Sequence, residues 1–160
     1  MELLLVVVLL GVLAGVVFPR LRGSVRAAGL DESAQRVASV VRFVRAESMR
    51  RGLKIRLTVD GPGRTLQLEL QKADTAGVEE YGEFGDPLLD EEMSLPEGVG
   101  VGRLRQGEQA LRAMVIVFKP DGVSEPYTLE LKDKTDHVLL VEIGPWVDEV
   151  RVVKATEAGS

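Results

Sequence analysis

A chain of 160 residues holds one domain with an appendage and leaves no room for two ordinary domains about a hinged cleft. With no cysteine and a single histidine, thiolate catalysis, disulfides, Cys-based zinc sites and paired-histidine metal sites are excluded, and seven aromatics leave little for base-stacking or sugar-binding strips. The net charge of −5 is split, with +4 on residues 1–52 and −9 on residues 53–160, so a polyanion meets a repelling C-terminal region unless its cations gather on one face.

The first element is the apolar run from Leu3 to Phe18, which contains no charged side chain. As a helix its 16 residues rise about 24 Å, slightly short of a ~30 Å hydrocarbon core. A cleaved signal wants basic residues ahead of the run and a small-residue cleavage site behind it. Here Glu2 stands before it and Phe18-Pro19-Arg20 behind, which favours a retained anchor. Arg20, Arg22 and Arg26 follow the run and nothing basic precedes it, so the positive-inside tendency places the C-terminal domain in the cytoplasm unless a basic segment lies upstream of Met1. Glu2 belongs at the interface or beside a cation, because an unpaired carboxylate inside the bilayer is expensive. Gly11 and Gly15 form a G-x-x-x-G pair, a weak signal for close helix approach.

Gly23 and Gly29 loosen the next stretch, and Asp31 or Ser33 offers an N-cap. Ala34, Val37, Val40, Val41, Val44 and Ser48 then recur at three- and four-residue steps as far as Gly52, predicting an amphipathic helix whose arginines form a solvated face. Beyond it the period becomes two. Leu53 to Val59 and Leu66 to Leu70, joined by Asp60-Gly-Pro-Gly63, predict a hairpin with one buried face. Residues 73–96, with two prolines and seven acids between Glu79 and Glu92, read as a long exposed loop. Val99–Val101 resumes strand character, and the continuous apolar run Ala113–Phe118 reads as a central strand. After the turn Pro120-Asp-Gly122, three more strands are expected at Tyr127–Leu131, His137–Ile143 and Val147–Val153, giving six or seven antiparallel strands.

Glu2, the apolar run and Pro19 seventeen residues after the acid closely resemble the N-terminal helix of type IV pilins and type II secretion pseudopilins. The segment Val40-Val-Arg-Phe-Val-Arg-Ala-Glu-Ser-Met-Arg-Arg-Gly52, entering at once a Lys-Ile-Arg-Leu strand, resembles the helix-to-strand junction of GspH/FimT-type minor pseudopilins, as Phe118-Lys-Pro-Asp-Gly122 resembles their late turn. The resemblance implies an α+β, pilin-like fold: a long N-terminal helix, membrane-spanning in its first half and amphipathic in its second, packed on an antiparallel β-sheet head. The expected division is a filament-core helix over 1–22, an amphipathic helix over 23–52, a head over 53–154 with its acidic loop at 73–96, and a disordered tail over 155–160.

The family also implies roles and partners. Glu2 would neutralise an N-terminal amine in a filament core, Pro19 would kink the helix, and a prepilin peptidase would act if a basic leader lies upstream of Met1. The implied function is structural: a minor pseudopilin held in the inner membrane with a periplasmic head, assembling with major and minor pseudopilins at the pseudopilus tip, with secretin or cargo as further partners. Two alternatives stand beside it, a FimT-like pilin that binds DNA for uptake and an unassembled membrane-anchored binding protein. Arg151 and Lys154 lie among Asp148, Glu149 and Glu157, too few cations for the first.

No enzyme activity, cofactor or metal is expected. The acids of residues 79–92 lack the order of an EF-hand and read as solvated or partner-facing, with Glu79, Glu80 and Glu83 as candidate interface residues. Trp146 after Gly144-Pro145 either covers a core edge or serves as an exposed interface anchor. His137 lacks any nucleophile context and reads as a surface or edge-strand histidine.

Overall fold

The computed structural model describes residues 29–61, 64–75, 78–85, 92–146 and 148–155. The apolar run, Glu2, Pro19, the Gly11/Gly15 pair, and residues 156–160 of the expected tail lie outside the described residues, as do residues 62 and 63 of the first turn. Among the described residues no helix is long and apolar enough to cross a membrane.

Helix α1 covers residues 29–51. Gly29 and Leu30 are already helical, so neither Asp31 nor Ser33 caps its start; the Ser33 hydroxyl instead donates to the Gly29 carbonyl one turn back, at 2.7 Å. The predicted apolar stripe is buried from Leu30 through Ala34, Val37, Val41 and Val44. Gly52 ends the helix at φ 66°, a conformation that costs a side chain roughly 1–2 kcal/mol, and its amide donates to the Ser48 carbonyl at 3.0 Å.

Two antiparallel sheets follow. The first is built on β1 (Ile55–Asp60), flanked by β2 (Thr65–Thr75) and β7 (Ala113–Phe118). The other edge of the eleven-residue β2 is shared by two short strands: β3 (Val78–Glu83) pairs with its second half and β4 (Glu92–Ser94) with its first. Of the segment expected as an exposed loop at 73–96, residues 73–75, 78–83 and 92–94 are strand. Glu80, Glu83 and Glu92 are exposed on these edge strands, while Phe84, Met93 and Leu95 anchor the segment in the core.

The second sheet has the order β10 (Val150–Lys154), β9 (Val138–Ile143), β8 (Tyr127–Asp133), β5 (Val99–Gln106), β6 (Gln109–Leu111). Ten strands are thus described, against the six or seven read from the sequence. The β5–β6 hairpin escapes detection because Arg103 and Arg105 face solvent and a bulge between Val101 and Leu104 breaks the alternation.

The reading of Ala113–Phe118 as a central strand is also corrected. β7 ends the first sheet's strand order and pairs only with β1. Met114, Ile116 and Phe118 are buried on one face, while Val115 is 45% exposed on the other. Six apolar residues in a row made the run look uniformly buried, yet only alternate positions reach the core. The two faces predict unequal costs: Ile116→Ala should destabilise the protein by about 2–5 kcal/mol, and Val115→Ala by less than about 0.5 kcal/mol, measured by denaturant unfolding.

Candidate partner-binding surface

One end of the molecule gathers three segments far apart in sequence: the last two turns of α1, the turn after β7, and the loop from Gly144 to Glu149 joining β9 to β10. Arg45 joins them. Its side chain is fully buried, with Nη2 donating to the Gly144 carbonyl at 2.7 Å and to Ser124 Oγ at 2.8 Å, and Nη1 donating to the Trp146 carbonyl. The guanidinium lies 5.5 Å from the centre of the Phe118 ring. Burial pushes the Arg45 pKa down from its ordinary value, an effect that the carboxylates of Glu149 and Asp148 partly offset. One turn earlier, Arg42 donates to the Val150 carbonyl at 2.7 Å. Arg42 keeps the exposure that the sequence suggested while adding this one bond, whereas Arg45 departs from it and is buried.

The remaining polar residues of the helix end are equally committed. Buried Ser48 places its hydroxyl 2.7 Å from the Leu53 carbonyl and 2.9 Å from that of Phe118, tying the helix exit to β7. Glu47, 6% exposed, accepts hydrogen bonds from Arg50 and Arg51. Those bonds, Arg50's foremost, hold its carboxyl at about 2 against an ordinary 4.5.

The turn after β7 closes with the Gly122 amide on the Lys119 carbonyl at 2.8 Å, and Asp121 accepts the Val123 amide at 3.0 Å. This presents Ser124 to Arg45 and lets the Ser124 amide donate to the Pro145 carbonyl at 3.3 Å. The loop from 144 to 149 folds tightly on itself, the Gly144 amide reaching the Glu149 carbonyl at 2.6 Å and the Glu149 amide that of Trp146 at 3.2 Å. Gly144 is required here, since any Cβ would collide with the Glu149 side chain. Trp146 stands at the loop's crest, 59% exposed. Met49 and Leu53, also exposed, lie at the same end of α1.

The other candidate residues fall elsewhere. Glu79, Glu80 and Glu83 lie on β3, at the edge of the first sheet, whereas Trp146 belongs to a loop of the second. Strand alternation puts Glu80 and Glu83 on opposite faces, so the acids of β3 form no single patch. Glu83 sits across from Glu69, which pairs with Arg56 at 2.7 Å. Among the described residues no group of three or more His, Asp or Glu is placed to hold a metal ion.

His137 is exposed, its Nδ1 3.0 Å from Asp133 Oδ2. Burial raises the Asp133 pKa, but hydrogen bonds from Thr135 and His137 outweigh it and hold the carboxyl well below the usual range. This arrangement closes the β8–β9 turn.

Among the described residues, one helix laid against two antiparallel sheets makes a pilin-like fold, which solved minor pseudopilins share. Among solved structures, the minor pseudopilin EpsH from the type 2 secretion system of Vibrio cholerae matches with a TM-score of 0.64 at 19% identity, over 80% of this chain and 98% of that one. A second EpsH structure matches at 0.59 and 15% identity, over 74% and 95%. The solution structure of GspH from E. coli matches at 0.60 and 13% identity, over 86% and 94%. No protein-family model and no curated protein sequence matches the chain.

Two measurements check the geometry of this end. Arg45→Ala leaves two carbonyls and a hydroxyl without their donor, and is expected to destabilise the protein by at least about 2 kcal/mol and to speed amide hydrogen exchange selectively between residues 144 and 149. Because the Glu47 pKa is depressed on folding, its stabilisation is complete above about 4.5 and is lost as pH falls toward about 2. Glu47→Gln should therefore flatten the decline in unfolding midpoint over that window.

Proposed function

We propose that the chain is a structural minor pseudopilin of a type II secretion system, joining other pseudopilins at the pseudopilus tip to support export across the outer membrane. The observation that carries this reading is the match of the helix-and-two-sheet head to nearly the whole of EpsH. The apolar run from Leu3 to Phe18, with Glu2 ahead of it and Pro19 behind, supports it independently, because an uncharged helix bearing one acid at its mouth is suited to packing among like helices. In this reading residues 1–22 anchor the chain in the inner membrane and form the filament core, residues 23–52 join that core to the head, and the head stands in the periplasm. Glu2 pairs with an N-terminal amine in the assembly, and Pro19 relaxes the helix where it leaves the core. The secretin and cargo are further partners, and a prepilin peptidase acts if a leader precedes Met1.

Charge argues against DNA capture. Arg151 and Lys154 share the last hairpin with Asp148 and Glu149, and residues 53–160 carry −9.

In cells lacking the native copy, Glu2→Gln should leave the chain membrane-bound while removing it from the pseudopilus fraction and reducing secretion. Wild-type incorporation and export by that variant would refute the assembly reading.

A further inference from the structure

We draw no further inference here: the strongest candidate, the apolar cavity of about 590 Å³ lined by Leu30 at the start of α1, Leu139 of β9 and Ala155 after β10, sets Asp31 and Asp136 against Lys154 and His137, and nothing in the structure shows what covers it.

Discussion

The arrangement of the head turns on one guanidinium withdrawn from water. Arg45 reaches the late turn and the last hairpin together, donating to the buried Ser124 hydroxyl of the first and to the Gly144 and Trp146 carbonyls of the second. Such a group is a poor source of net stability, because desolvation offsets most of what its bonds return. It is a good source of geometry, since a planar fork with fixed directions accepts few arrangements of its acceptors. The sheets could pair without it; their relative placement at the crest depends on it.

Around that point the helix serves both sheets. On one side Phe43 meets Phe84 edge to face, at 6.4 Å between centroids, and Arg51 lies 5.1 Å from the centre of the Phe84 ring, fastening the helix to the first sheet. On the other, Arg42 and Arg45 fasten it to the β9–β10 hairpin. Ser48 adds the tie to Phe118 at the end of β7. A single core runs beneath, from Leu30 through Leu57 and Ile116 to Val141. The head is therefore a helix-centred unit, and surfaces on either sheet are held at fixed angles to the element that leads back toward residues 1–28.

Much of the fold was legible because its strongest signals are periodic. The stripe from Ala34 to Val44 and the alternation of Ile55, Leu57 and Val59 each have one physical explanation, and the structure buries those residues. The failures have a common cause as well. Over residues 73–96 glycines, prolines and acids were read as an exposed loop, although an edge strand carries exposed acids too, as Glu80 and Glu83 on β3 do. Over residues 113–118 an unbroken apolar run was read as a central strand, although among the described residues β7 pairs with β1 alone. The candidate surface was legible only in outline. Trp146 could be singled out as a lone aromatic after Gly-Pro, and the Arg-rich junction by its resemblance; helical spacing also puts Arg45, four residues after Val41 and three before Ser48, on the buried stripe, and leaves Arg50 off it with its side chain 69% exposed. What spacing does not show is what accepts from a buried guanidinium, because those acceptors lie 79 to 101 positions downstream.

This separation bears on how the chain matures. The acceptors of Arg45 lie 79, 99 and 101 positions further along, so the crest closes some of the longest loops in the molecule and waits for nearly the whole polypeptide to emerge. A shortened product keeps the apolar stripe of its helix but lacks the acceptors that Arg45 binds. The contact that orders this end of the molecule is therefore among the last that the chain can complete.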